Sequence, residues 1–106
     1  MFDSDLIFSS RVENAVKRIG LDCKVIRSFD ELSSATSENL LALILNLDLL
    51  GQRYELLRKF TAHRTQLLGY YSHINVKVDE LAKNNGILSF PRGAFVSRLE
   101  NMLSRT

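Results

Sequence analysis

The chain has little of several residue types on which cross-links, metal sites and cofactor sites depend. Its 106 residues include one cysteine, one proline, two histidines and no tryptophan. Cys23 has no second cysteine for an intrachain disulfide or a cysteine-based zinc cluster, which fits a reducing compartment. His63 and His73 fall in different predicted elements, so they indicate no metal site. Glycine-rich phosphate loops and nucleophile-elbow motifs are missing too, and we expect no cofactor and no enzymatic activity.

Long apolar runs are also missing. The longest, Leu40 to Leu45, is far shorter than the roughly 18–20 residues that a membrane-spanning helix needs. The first residues lack the basic and apolar regions of a secretory signal. These features predict a cytoplasmic protein that does not bind membranes.

The composition is that of an ordinary globular domain. The chain is 45% hydrophobic and 25% charged, with a mean hydropathy of −0.04, and we expect a single domain over residues 1–106. The charge is uneven, at −3 over residues 1–50 and +5 over residues 51–106. The densest basic cluster would spread around a helix rather than along one face, so it predicts a solvated helix and no nucleic-acid partner. Its members are Arg53, Arg58, Lys59 and Arg64.

Short apolar runs alternate with amphipathic stretches along the whole chain. The runs predict strands at residues 6–8, 23–27, 40–47, 67–71 and 87–90. The amphipathic stretches predict helices after Ser10 and Ser28, over 51–63, from Asn75 to Asn85 and over 93–103. This order predicts an α/β fold of the flavodoxin-like type, a three-layer sandwich with a five-stranded parallel sheet of order 2-1-3-4-5.

In such a fold, ligands bind at the carboxyl ends of the central strands. Polar residues follow the predicted strands 1, 3 and 4, and we expect any site to include them: Ser9, Ser10, Asn46, Asp48, Ser72 and His73.

The segment 42–51, which reads ALILNLDLLG, is similar to the third strand and following loop of the CheY-like receiver domains of response regulators. The resemblance places Asn46 where receivers carry the phosphate-accepting aspartate. It places Ser9 and Ser10 where they carry the acidic pair that holds Mg²⁺, and Ser72 where they carry a small hydroxyl residue. The lysine that receivers have before a proline is not matched in Ser89-Phe90-Pro91-Arg92.

Two further segments, 69–75 and 90–95, resemble loops of a divergent receiver-like branch that has no phosphosite. Phosphoryl transfer to the chain needs a carboxylate nucleophile, and Mg²⁺ needs carboxylate ligands. The resemblance therefore implies a non-enzymatic pseudo-receiver that is not phosphorylated. It would act in signalling or regulation through contacts with a protein partner or with itself. The alternative is a sensor that binds a small ligand or an anion in the crevice.

Several of these residues have a plainer interpretation. Asp48 is either a substitute phosphosite or a cap of the next helix. His73 and Arg92 either contact an anion or a partner, or order a turn and remain solvated. Tyr70 and Tyr71 either form a ligand wall or pack in the core.

The last helix carries a second candidate site. Its stripe of Phe95, Leu99 and Met102 is enough to dock it on the sheet. Its remaining apolar and basic residues predict an interface, with further core packing as the alternative, and they are Val96, Arg98 and Leu103.

Overall fold

The structure is a computed structural model that describes residues 1–36, 40–72 and 76–104. Its sheet has three parallel strands in the spatial order β1-β2-β3, namely β1 (Ala42–Asn46), β2 (Gln66–Tyr71) and β3 (Ile87–Pro91). Six α-helices accompany them: α1 (Leu6–Arg18), α2 (Phe29–Ser34), α3 (Leu47–Leu50), α4 (Arg58–Ala62), α5 (Val76–Asn84) and α6 (Arg92–Ser104). A short 3₁₀ turn, Tyr54–Leu57, precedes α4. Within these described ranges, no helix has the length and apolar character needed to cross a membrane.

Helices pack on both faces of the sheet and give it two hydrophobic cores. One face is covered by α2, α3, α4 and α5 through Leu32, Leu50, Phe60 and Ala82, respectively. The other face is covered by α1 and α6, and its buried residues include Val12, Leu68, Tyr70, Phe95 and Leu99. Burial of both faces explains why β1 and β2 are almost continuously apolar.

The predicted five-stranded flavodoxin-like sandwich is wrong, because the described residues form a sheet of only three strands. Next to β1, Phe2 makes single-residue parallel bridges with Leu45 and with Ile26, and neither bridge extends into a strand. The segment predicted as the second strand, 23–27, therefore contributes one bridged residue. Its charged members Lys24 and Arg27 are exposed, which is typical of the outermost segment of a sheet.

The predicted first strand at residues 6–8 is also wrong, since these residues form the first turn of α1. The carboxylate of Asp5 caps that turn, with its Oδ1 accepting hydrogen bonds from the backbone N–H groups of Ile7 and Phe8, each at 3.0 Å. Only Phe8 of the apolar triplet is buried, while Leu6 and Ile7 remain 66% and 78% exposed. The helix predicted to begin after Ser10 therefore begins earlier, and Ser10 lies inside it and donates to the carbonyl of Leu6.

The later elements lie close to their predicted ranges. β2, β3 and α6 each begin and end within one residue of the prediction. The helix predicted over 51–63 is divided into the 3₁₀ turn and α4, and it buries Leu57 and Phe60.

Gly69 allows α3 to lie directly on β2. A Cβ atom at this position would come within 3.0 Å of side-chain atoms of both Leu47 and Ile87. A larger residue would push apart α3, β2 and β3 at the point where the strands lead into the polar residues that follow them.

We expect Gly69→Ala to lower the free energy of unfolding by about 1–3 kcal/mol, because the added methyl group overpacks this contact. Gly93→Ala is the matched control, since a Cβ there meets no heavy atom within 4 Å. Gly93 lies in α6, where alanine should instead stabilise the helix by about 0.5–1 kcal/mol. Denaturant unfolding of both variants tests this prediction. Equal effects of the two substitutions would contradict the close approach at Gly69.

Candidate functional site

Seven polar side chains meet at the edge of the sheet where the strands end, and we call them the carboxyl-edge cluster. They come from the segment around Phe2, from the ends of β1 and β2, and from the start of α6. The members are Asp3, Asp5, Asn46, Asp48, Tyr70, Ser72 and Arg92.

Asp3 lies at the centre of this cluster and is completely buried. Its Oδ1 accepts hydrogen bonds from Asn46 Nδ2 at 2.8 Å and from the backbone N–H of Asp5 at 3.0 Å. Its Oδ2 accepts a hydrogen bond from the hydroxyl of Tyr70. A buried carboxylate is costly unless donors replace its lost water, and these three donors do so.

Tyr70 holds the opposite side of the Asp3 carboxylate. Its ring is 1% exposed and lies between the rings of Phe8 and Phe95, with centroid distances of 4.6 and 5.1 Å. Burial, followed by the hydrogen bond to Asp3, raises the pKa of the Tyr70 phenol far above its ordinary value. The phenol therefore remains a neutral donor to Asp3 at physiological pH. The sequence left Tyr70 either in a ligand wall or in the core, and its burial favours the core.

Asn46 connects Asp3 to the next helix. While its amide nitrogen donates to Asp3, its Oδ1 accepts from the backbone N–H groups of Asp48 at 3.0 Å and Leu49 at 3.3 Å. Asn46 is therefore the N-cap of α3 and a donor to a buried carboxylate at the same time. An aspartate at this position would keep the cap and lose the donor.

Asp5 and Arg92 join the starts of α1 and α6. The Arg92 guanidinium pairs with Asp5 Oδ2 and lies 4.3 Å from the centroid of the Phe8 ring. The backbone N–H of Phe8 and then the guanidinium of Arg92 are the main causes that lower the pKa of the Asp5 carboxyl. The side chains of Asp5 and Arg92 are each about one-third exposed, so the pair lies at the rim of the cluster.

Asp48 and Ser72 form the other rim. Asp48 Oδ2 accepts hydrogen bonds from the backbone N–H of Ser72 at 2.9 Å and from its hydroxyl at 2.6 Å. These bonds attach the first turn of α3 to the residue that follows β2.

Four of the predicted site residues thus belong to the cluster: Asn46, Asp48, Ser72 and Arg92. Ser9 and Ser10 do not, because they lie within α1 and not after a strand. Ser9 is buried and donates to the carbonyl of Leu6 at 3.3 Å, and Ser10 is exposed. The resemblance placed Ser9 and Ser10 directly after a first strand, but residues 6–8 form the first turn of α1 and not a strand. His73 lies outside the described residues.

Asp3 and Asp5 are the members that sequence reasoning missed. The signal that could have found them is the N-cap: an aspartate followed directly by a long amphipathic stretch is typical of a helix start. A helix beginning at Leu6 leaves only Met1 to Asp3 as the extended segment, and it places the two aspartates at its carboxyl end.

The predicted interface residues on α6 lie in three different environments. Leu103 is 5% exposed and belongs to the core under α1 and α6. Val96 is half-buried and packs against the same core. Arg98 is exposed, and its guanidinium lies 5.2 Å from the centroid of the Phe90 ring. Arg98 is thus the member that is available to a partner.

The chemistry of the cluster is that of a closed hydrogen-bond network. Each of its three carboxylates already accepts hydrogen bonds from other side chains or the backbone. Across the described part of the chain, no group of three or more histidine, cysteine, aspartate or glutamate side chains is arranged to hold a metal ion.

Comparison with known proteins returns no relative: no family model, no curated protein and no solved structure matches this chain.

The lowered pKa of Asp5 predicts a pH dependence of stability. A carboxyl whose folded-state pKa lies below its ordinary value of 3.8 stabilises the fold above that value and loses this contribution as the pH falls through the folded pKa. We expect Asp5→Asn to be less stable than the parent at pH 7 and to depend less on pH in the acid range. Unfolding midpoints measured between neutral pH and pH 3 test this. Asp22→Asn, a change at an exposed aspartate, is the control, and equal acid sensitivity of Asp5→Asn and the parent would contradict the pairing.

The hydrogen bond from Asn46 to Asp3 predicts the effect of Asn46→Asp. The change removes a donor and sets two carboxylates face to face, and we expect it to cost about 2 kcal/mol or more at neutral pH. Two adjacent carboxyls are most stable when one of them is protonated, and protonation is easier at low pH. The loss of unfolding free energy should therefore be larger at pH 8 than at pH 5. Denaturant midpoints across this range are the measurement, and Asn14→Asp on the exposed side of α1 is the control. A variant as stable as the parent at pH 8 would show that position 46 is solvated.

Proposed function

We propose that the chain is a non-enzymatic, receiver-like module that acts in signalling or regulation through protein contacts and is not itself phosphorylated. One observation carries this proposal. The amide of Asn46 lies at the position where the resemblance to receivers expects the phosphate acceptor, and both its nitrogen and its oxygen already form hydrogen bonds. An amide is not the nucleophile that acyl-phosphate formation requires. Its bonds to Asp3 and to the first turn of α3 give it a structural role instead.

The neighbouring carboxylates do not offer a ready substitute. Asp3 has no exposed surface and lies between Asn46 and Tyr70. Asp48 is exposed, but both the hydroxyl and the backbone N–H of Ser72 donate to the same oxygen, Oδ2. A phosphoryl group on Asp3, or on the Oδ2 of Asp48, would have to displace hydrogen bonds that join separate elements of the fold.

The alternative function, a sensor of small ligands or anions, has less support at this edge. Arg92, the anion donor that the sequence indicated at this edge, is paired with Asp5 and stacked on Phe8. Binding an anion there would require breaking an ion pair that joins α1 to α6.

Incubation with a small-molecule acyl phosphate and Mg²⁺, followed by intact-mass measurement, tests the absence of phosphorylation. We expect the mass of the parent chain to be unchanged, because the position of the acceptor is held by an amide. A stoichiometric adduct that hydroxylamine removes would contradict the proposal.

The interaction role is tested by charge reversal on the exposed arginine of α6. Arg98→Glu should fold normally, since an exposed substitution usually changes stability by about 0.5 kcal/mol or less. It should nevertheless weaken capture of a partner by the full chain. Arg58→Glu reverses another exposed arginine on the opposite side of the sheet and is the matched control. Equal capture by the parent and both variants would place the contact surface away from α6.

A further inference from the structure

The turn between α5 and β3 contains a chemically labile dipeptide. Asn85 and Gly86 form the one asparagine–glycine pair in the sequence. Both residues are exposed, and they lie between the end of α5 at Asn84 and the start of β3 at Ile87. An asparagine that precedes glycine is prone to deamidation, because glycine has no side chain to obstruct the attack of its backbone nitrogen and leaves the backbone free to close a ring.

Deamidation consumes water and releases ammonia, with no change of oxidation state. The Gly86 nitrogen loses its proton and bonds to Cγ of Asn85, and the bond from Cγ to Nδ2 breaks. Nδ2 leaves as ammonia, and a five-membered succinimide ring remains. Water then opens the ring at either carbonyl, so position 85 becomes an aspartate or an isoaspartate. Either product carries one more carboxylate than the parent chain.

The folded chain holds the two reacting groups apart. Asn85 Nδ2 donates to the carbonyl of Leu81 at 2.7 Å, so the side-chain amide is turned back along α5 and away from the following residue. The backbone N–H of Gly86 donates to the carbonyl of Lys83 at 3.1 Å. Ring closure needs the Gly86 proton to leave and Cγ of Asn85 to swing forward, so both hydrogen bonds must break first.

These two hydrogen bonds close the last turn of α5, and this turn can open by itself. Residues 83–86 are all exposed, whereas Ala82 and Ile87 on either side of them are buried. Opening of residues 83–86 therefore exposes no buried apolar side chain. Helix ends of this kind open at a much lower free energy than the whole fold.

The structure assigns Asn85 as a site of spontaneous deamidation whose rate is set by local opening of the last turn of α5. The reacting groups are the Asn85 side-chain amide, the Gly86 backbone nitrogen and water, so no enzyme or cofactor takes part. This inference goes beyond the proposed interaction role and is independent of it.

The modification weakens the junction between α5 and β3. The new carboxylate cannot donate to the carbonyl of Leu81, and it brings a negative charge to the carboxyl end of α5, where the helix dipole is also negative. The isoaspartate form also adds a methylene group to the backbone just before Ile87, which is buried and pairs with Leu67 of β2. Aged chain should therefore unfold at a lower denaturant concentration than fresh chain.

Ageing of the full chain at pH 8 tests the assignment, with mass spectrometry of the tryptic peptide that contains Asn84 and Asn85. A free peptide of the same sequence is aged alongside. We expect both to gain one mass unit at Asn85, the full chain about tenfold more slowly, because two hydrogen bonds must open first. Asn84 is the internal control and should stay unmodified, since the side chain of the next residue hinders its ring closure.

Two matched glycine variants distinguish local opening from global unfolding. Lys83→Gly weakens the last turn of α5 and should raise the rate at Asn85 about threefold, because glycine has the lower helix propensity. Lys17→Gly makes the same change at the corresponding position of α1, next to its last residue, and should leave the rate unchanged. Asn85→Gln should fold and stay unmodified, because its longer side chain does not form the five-membered ring.

Each of the following results would overturn the inference. The full chain stays unmodified after many half-times of the free peptide, or it converts as fast as the peptide. Another asparagine of the folded chain converts before Asn85. The two glycine variants raise the rate equally, which would make unfolding of the whole chain the controlling step.

Discussion

The carboxyl edge of the sheet depends on one completely buried polar side chain, the carboxyl group of Asp3. Because it has no contact with water, the fold must supply its hydrogen-bond donors, and it does so from Asn46 and Tyr70 at the ends of β1 and β2 and from the backbone at Asp5. Each of these residues also has a second structural role. Asn46 caps α3, Tyr70 fills the core under α1 and α6, and Asp5 caps α1. Removing one donor would therefore disturb several elements at once.

The hydrogen bonds and the ion pair of the carboxyl-edge cluster hold helices and strands together at this end of the sheet. The rim pairs, Asp5 with Arg92 and Asp48 with Ser72, join elements that are far apart in the chain. Side chains that could recognise an anion or a metal are already engaged with one another. The contact surface that we propose lies elsewhere, on the exposed side of α6.

The later elements of the fold could be predicted from the sequence, and the first elements could not. The runs in β2 and β3 are apolar and clearly bounded, and β2 is almost wholly buried, so their pattern predicts them closely. Residues 6–8 are as apolar as a strand, but three residues cannot distinguish a strand from the first turn of a helix, and the cap at Asp5 decides between them. Because of that one error, Ser9 and Ser10 were expected at the carboxyl edge and Asp3 was overlooked. The bond between Asp3 and Tyr70 joins residues 67 apart, which no local pattern reveals.

The central claim is that Asp3, Asn46 and Tyr70 form a closed network inside the fold. Proton NMR of the parent chain in water tests it most directly through the hydroxyl proton of Tyr70 and the side-chain amide protons of Asn46. We expect an observable, slowly exchanging Tyr70 hydroxyl proton and protected Asn46 amide protons, all unchanged by added Mg²⁺. A hydroxyl proton lost to rapid exchange with solvent, or resonances that shift as Mg²⁺ is added, would contradict it.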